Sequence, residues 1–370
     1  MTEQPPLILH VFPTFATGGA QVRFATLANH FGRRLRHLVI AMDGVQTCRK
    51  RLRDDIDIEF PILDIRKGDT LGNLRRFRRF LRNRRPSLLV TSNWGSIEWA
   101  IANAVPVVRH VHMEDGFGPE ERERQIARRV WTRRLFLARS TVMLPSRTLL
   151  RIATETWRLN PGRLRYIPNG IDLDRFRPAE RAEADRSGRE PVIGTVAALR
   201  AEKNVGRLLR AFRLAAGDAP ARLVVVGDGP ERGALEALAQ EPGLAGRVHF
   251  TGHVDAPHCM YEDFDLFALS SDTEQMPLSV LEAMAAGLPV ASTDVGDVRF
   301  MVARENTAFL SSCDDTALAE VIRPLLQDAG VRQRIGTANR AKAEREYDEQ
   351  TMFHAWGGLL QASPSSSAEH

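Results

Sequence analysis

The stretch SSDTEQMPLSVLEAMAAGLPV, residues 270–290, sets Glu274 in a polar run and Glu282 among apolar residues at helical spacing. A carboxylate in the loop suits acceptance of hydrogen bonds from hexose hydroxyls. One a turn into the following helix suits the paired hydroxyls of a ribose. Together they fit the two sugars of a nucleotide sugar. Pro277 is tolerated in the first turn of a helix. The amides around Gln275, Met276, Leu278 and Ser279 would then point outward as a positive dipole end, able to hold phosphate or sugar oxygens. The same spacing fits equally a helix cap at Glu274 and a solvated helical Glu282. Upstream, Arg200 and Lys203 follow the apolar run PVIGTVAAL, residues 191–199. A planar guanidinium and a compact ammonium suit a diphosphate, although two cations on a surface loop are common.

In the first half, Gly18 and Gly19 lie between LILHVFP and AQVRFATLANHF. Glycine permits close backbone approach to a ligand, and a helix start adds free amides; a Gly-Gly pair is also often only a tight turn. His110 and His112 close the run PVVRHVH, residues 106–112, two apart and so on one face of a strand. Asp263-Phe264-Asp265 has the Asp-x-Asp form of a metal site. It precedes LFALS, however, on the side of the sheet away from the expected cleft, and no metal role is assigned to it.

These residues need elements to place them. Short apolar runs alternate with helical patterns: residues 7–13, 37–42, 87–92, 106–112 and 141–146, then 191–199, 221–229, 247–252, 266–270 and 288–294. That alternation predicts parallel sheets covered by helices on both faces. Two such series predict an α/β chain of two Rossmann-like, doubly wound domains, with ligands beyond the carboxyl ends of the strands. The seam falls near 163, followed by the polar stretch AERAEADRSGRE. Gly170, after Asn169, is expected in a turn of positive φ. The tail QASPSSSAEH reads as disordered.

The chain has 370 residues, 43% hydrophobic and 26% charged, enough for two cores beneath a soluble surface. It opens without a signal-peptide pattern, and its longest nearly charge-free apolar stretch, residues 99–108, is too short for a bilayer. Cys48, Cys259 and Cys313 are isolated, consistent with free thiols in a reducing cytoplasm and no zinc site. The net charge of +5 is uneven: 29 Lys/Arg against 15 Asp/Glu give +14 in residues 1–163, and 22 against 31 give −9 thereafter. Arginines crowd LRRFRRFLRNRRP (74–86) and RERQIARRVWTRR (122–134), with Leu74, Phe77, Phe80 and Leu81 at helical spacing on the opposite face. Such a face is either simply solvated or attracted to an anionic membrane surface. Nucleic acid is not expected, since the runs lack stacking aromatics and any zinc or helix-turn-helix pattern.

Taken in order, IPNGIDLDRF (167–176), AALRAEKN (197–204), VVVGDGPER (224–232), HFTGHVD (249–255) and TEQMPLSVLEAMAAGLPV resemble the retaining glycosyltransferases of family 4, which have the two-domain GT-B fold with a cleft between the domains. The resemblance takes in nearly the whole chain. It implies an N-terminal acceptor domain over 1–163, a nucleotide-sugar domain over 164–346, and a C-terminal helix within 347–370 returning to the first domain. It also implies roles. Arg200 and Lys203 would bind the donor diphosphate, Glu282 the ribose, and Glu274 with the amides after it the donor sugar. Val254 would meet the base, Gly19 the phosphates, and His112 the donor sugar near the reacting centre. The donor would be a UDP- or GDP-linked sugar, the acceptor a saccharide or lipid-linked saccharide, and no metal or other cofactor would be needed. A nucleotide-sugar epimerase, a phosphorylase or a non-catalytic binding protein are the alternatives. Ala198, Gln21 and Gln275 replace residues the family often has, and HMEDGFGPEE (112–121) is unlike the expected short loop. No motif assigns Glu114 or Asp115.

Overall fold

A computed structural model describes residues 4–121, 124–179 and 189–361. The chain divides into two compact units, residues 1–168 with those from Met352 on, and Asn169–Thr351. Most of the polar stretch at 179–190, and the tail beyond 361 expected to be disordered, lie outside the described residues.

The first unit is built on seven parallel strands: β1 (Leu7–Phe12), β2 (Arg36–Ala41), β3 (Ile58–Glu59), β4 (Leu88–Ser92), β5 (Arg109–Met113), β6 (Thr141–Leu144) and β7 (Leu164–Tyr166). Their order is β3-β2-β1-β4-β5-β6-β7, so the direction of winding reverses between β1 and β4. Alternate residues serve opposite faces. Ile8, Val90, Val111 and Met113 meet Leu27 and Phe31 of helix Gly19–Phe31 and Met352, Phe353 and Trp356 of helix Glu349–Gln361. Leu9, Val11 and Leu89 meet Phe77 and Leu81 of helix Thr70–Arg84, and Trp99. The periodicity of the arginine-rich helix is therefore that of a covering helix. Burying side chains such as Phe77 and Leu81 contributes about 1.5–3 kcal/mol each.

The second unit has six parallel strands: β8 (Val192–Val196), β9 (Arg222–Val226), β10 (Val248–Gly252), β11 (Leu266–Leu269), β12 (Val290–Thr293) and β13 (Leu310–Ser311). The order is β10-β9-β8-β11-β12-β13, with its reversal between β8 and β11. Gly194 in β8 allows the Phe264 ring to lie against the strand, since a Cβ there would stand 2.0 Å from that ring.

Several expectations need correction. The seam at 163 is too early, because Leu164–Tyr166 pairs with β6 as the edge of the first sheet and the division follows Pro168. The strand expected over 106–112 begins only at Arg109. Gly170 is absent from the residues of positive φ. The two- and three-residue edge strands β3, β7 and β13 have no periodicity long enough to find in a sequence.

Candidate functional site

In the second unit the loops after β8 and β11 leave neighbouring strands at the reversal of winding, the place where open parallel sheets leave room for ligands. The loop after β8 is held from beneath. The Leu199 amide donates to the Asp228 carbonyl at 2.9 Å, and the Glu231 amide to the Leu199 carbonyl at 3.0 Å. Gly227 and Gly229 permit this contact, because a Cβ would lie 1.9 Å from the Ala197 carbonyl oxygen or 2.4 Å from that of Leu199. The glycines of VVVGDGPER therefore serve the loop that carries Arg200 and Lys203.

The two loops are stitched together. The Asp272 amide donates to the Glu202 carbonyl at 2.8 Å, and the Ser270 hydroxyl to the Lys203 carbonyl at 3.1 Å. Across this seam Lys203 Nζ reaches Glu274 Oε1 at 2.5 Å, and the Ser271 hydroxyl donates to the same oxygen at 2.7 Å. The Glu274 side chain is 10% exposed and that of Lys203 26%. Arg200 projects from the same loop with its side chain 59% exposed, 4.0 Å from Glu202. One cation thus holds the loop carboxylate while the other is presented outward. Arg207 braces the base of the loop, bonding the Ser270 carbonyl at 2.8 Å and pairing with Asp272 at 2.7 Å.

Helix Leu278–Ala285 follows. Pro277 is its extended N-cap rather than a residue of its first turn, and no side chain caps this end. The start of the helix is pinned from the unit's first residue: the Asn169 amide meets Met276 Sδ at 3.2 Å, and its side chain donates to the Met276 carbonyl at 3.3 Å. Gly296, at φ 57, packs where a Cβ would lie 2.3 Å from the Glu274 carbonyl oxygen, and the Asp297 amide donates to the Gln275 carbonyl at 2.8 Å. Glu282 lies one turn into the helix, and its Oε2 accepts from the Tyr261 hydroxyl at 2.5 Å. Val254 is half-buried against the core beneath this helix. Asp263 and Asp265 precede β11, and Asp265 is committed to Arg189 at 3.1 Å and the Val192 amide at 2.8 Å. Sequence reasoning missed Ser271, Tyr261, Asn169 and Gly296. The Asn-Gly pair had signalled only a turn.

In the first unit Gly18 is the extended N-cap of helix Gly19–Phe31, again without a side-chain cap or an acidic residue in the first turn. Gln21 Nε2 donates to the Thr14 carbonyl at 2.9 Å, closing the loop before the helix in a way that a glutamate could not. His112 was expected to meet a sugar, yet its side chain is fully buried. Its Nδ1 lies 2.8 Å from Thr91 Oγ1, which is also 2.8 Å from His110 Nε2. The arginine run at 122–134 also differs from a uniform charged face. Arg133 is buried, donating to Glu114 at 3.0 Å and pairing with Glu121 at 3.3 Å. Its guanidinium lies 5.2 Å from the Trp94 ring and 4.9 Å from that of Trp157. Among the described residues no group of three or more His, Cys, Asp or Glu side chains could hold a metal ion, and no helix is long and apolar enough to cross a membrane.

Two family profiles match adjoining parts of the chain, Glycosyltransferase Family 4 over residues 17–175 and Glycosyl transferases group 1 over residues 176–342. A lipopolysaccharide core biosynthesis glycosyltransferase, LpsE of Rhizobium meliloti, is 28% identical over 202 residues, 54% of this chain and 58% of that protein. A GDP-mannose-dependent alpha-(1-6)-phosphatidylinositol monomannoside mannosyltransferase of Mycobacterium tuberculosis is 32% identical over 198 residues, 48% of this chain and 50% of that protein. The matched stretch thus spans about half the length of these curated relatives. The solved structure of Anabaena HepE in complex with UDP superimposes with a TM-score of 0.80 at 19% identity, over 96% of this chain and 99% of that one, a likeness of fold.

Proposed function

The chain belongs to the group 1 glycosyltransferases, and from that premise we propose that it is a retaining enzyme moving a hexose-type sugar from a UDP- or GDP-linked donor to a hydroxyl of a saccharide or lipid-linked acceptor. The observation that carries this reading is the seam between the loops after β8 and β11. There Lys203 meets Glu274, with Arg200 exposed on the same loop, ahead of helix Leu278–Ala285, whose start no side chain caps. Arg200, Lys203 and the amides near Leu278 and Ser279 receive the charge that grows on the departing diphosphate, the part that a metal ion plays in other transferases. Lys203 is already drawn to Glu274, so a donor placed between them would have its phosphate on the ammonium and its sugar hydroxyls on the carboxylate. Gln275 and Met276 line the same turn. Glu282 accepts from the ribose, and Val254 meets the base. The bond between the anomeric carbon and the diphosphate oxygen breaks as the acceptor oxygen bonds to the same face of that carbon. The acceptor proton passes to a diphosphate oxygen.

The names of the relatives support surface polysaccharide or glycolipid assembly as the setting. Three unpaired thiols fit the cytoplasm, and the arginine-rich first unit fits the inner face of an anionic membrane. The test is donor consumption with candidate acceptors, beside thermal shifts with UDP and GDP. Arg200→Ala and Lys203→Ala should each lower turnover by about 10²–10³ with the fold intact. Both variants within about twofold of wild type would overturn the reading. Nucleotide binding without donor consumption under any acceptor would make the protein a binder rather than an enzyme.

A further inference from the structure

We propose that a cavity at the amino ends of β5, β6 and β7 is a second ligand site, which takes a phosphate monoester carried on an apolar chain. The site stands apart from the glycosyl-transfer reading and does not depend on it.

Open parallel sheets hold their principal ligands beyond the carboxyl ends of the strands. This cavity, of about 920 Å³, lies at the opposite end of the first sheet. Its walls include Arg109, the first residue of β5, and Thr141, the first of β6. Arg163 and Arg165 line it from either side of the first residue of β7, and Arg139 from just before β6. Among the described residues no Asp or Glu lines the cavity, and none of these four arginines is paired with a carboxylate. Burial lowers the pKa of Arg109, with no neighbouring charge to offset it. Four cations around one space repel one another, and an anion among them relieves that cost.

Backbone oxygens hold three of the four in place. Arg109 Nη2 donates to the Leu359 and Leu360 carbonyls at 2.9 and 3.2 Å. Arg163 Nη1 donates to the Arg139 carbonyl at 3.0 Å, and Arg165 Nη1 to those of Gly162 and Leu164 at 2.9 and 2.8 Å. A guanidinium carries five N–H groups, so each is positioned through one nitrogen and keeps donors on the others. Such forks suit phosphate oxygens.

The remaining walls set the rest of the ligand. Val108, Leu135, Phe136 and Leu359 line the cavity, and Leu135 is 69% exposed. The volume is that of a pocket for a whole small molecule, and inorganic phosphate would leave most of it unfilled. Gly358, also in the wall, lies inside helix Glu349–Gln361, where glycine costs stability relative to alanine. Packing does not demand a glycine there, because a Cβ would meet nothing within 4 Å. Its missing side chain leaves the cavity wall open.

The test is isothermal titration of the full chain with n-octyl phosphate below its micelle concentration, so that no bilayer takes part, beside inorganic phosphate and n-octanol. Octyl phosphate should bind once per chain, and the other two at least about tenfold more weakly. Arg163→Gln combined with Arg165→Gln, both at exposed positions, should weaken octyl phosphate about tenfold. Gly358→Glu supplies the carboxylate that the arginines lack and should abolish binding. Both variants should keep the wild-type circular dichroism spectrum and the wild-type thermal shifts with UDP and GDP. Saturating UDP or GDP should leave octyl phosphate binding unchanged. The proposal is overturned if octyl phosphate does not bind, if phosphate or octanol binds as tightly, if a nucleotide displaces it, or if the double arginine variant binds as wild type. Should Gly358→Glu not fold, the double arginine variant decides alone. Failure of wild type to bind any nucleotide would strike the glycosyl-transfer reading and leave this site standing.

Discussion

Tyr261 shows how one hydroxyl can aim a carboxylate. Burial, with Glu282 beside it, raises the phenol pKa well above its usual value, so the hydroxyl stays protonated and donates to Glu282 Oε2. Tyr261→Phe should lower affinity for UDP or GDP about tenfold, the cost of one hydrogen bond to a charged group. Affinity for the 2′,3′-dideoxy nucleotide should hardly change. Isothermal titration with both ligands checks this; equal losses for both would mean that Tyr261 acts through general packing rather than through the ribose. Glu282 was legible as a candidate from its place in an apolar helical run. Tyr261, in HCMYEDF, was not, because no local spacing links it to a residue two elements away.

Helix Thr70–Arg84 shows how far a pattern reaches. Its apolar stripe forecasts the buried Phe77 and Leu81. The arginines opposite them divide by partner. Arg76 is engaged by Asp69 at 2.9 Å, and Arg78 by the Ala102 and Val105 carbonyls, each at 2.8 Å. Arg75, Arg79, Arg82 and Arg85 are exposed. If these four meet anionic headgroups, each adds about 1 kcal/mol. The protein should co-sediment with phosphatidylglycerol vesicles but not with phosphatidylcholine ones, and release as salt rises. Replacing Arg75, Arg79 and Arg82 by Gln should abolish the effect with no loss of helicity. Sedimentation indifferent to lipid charge and salt would dismiss the membrane role. The sequence displayed all these charges alike, since a guanidinium bound to a carbonyl and one in water have the same local context.

The two units should answer acid differently. In the first, burial lowers the pKa of His37 to about 4 and that of His110 to about 3, and holds His10 well below its usual value, with His37 lowering it further. The unfolded chain takes up these protons near pH 6.5, and the folded unit only far lower. Stability from these neutral rings is therefore complete above pH 6.5 and lost as pH falls toward the folded values, by about 2 kcal/mol or less per ring down to pH 5. In the second unit Glu349 is raised to about 7, chiefly by burial, with Asp172 and Asp348 adding to it. A raised carboxylate has the opposite sign: its contribution is present at low pH and lost as pH rises through 7. All five tryptophans, at 94, 99, 131, 157 and 356, belong to the first unit. The melting midpoint read by tryptophan fluorescence should fall between pH 7 and pH 5, while the part of the circular dichroism transition belonging to the second unit should not. A fluorescence midpoint that holds or rises would contradict this assignment.

Local order decided what could be read early. Strand runs, helical stripes and glycine-rich turns are set by neighbours a few residues apart, so two doubly wound sheets and the loops bearing Arg200, Lys203 and Glu274 could be read from the amino-acid order. Which residues meet was settled by strand order and register. Reversal of winding set the loop after β8 beside the loop after β11 and drew Lys203 onto Glu274. Parallel pairing of β4 with β5 set Thr91 against His112. Those contacts join positions 71 and 21 residues apart, separations at which sequence spacing carries no distance information and only the folded chain does.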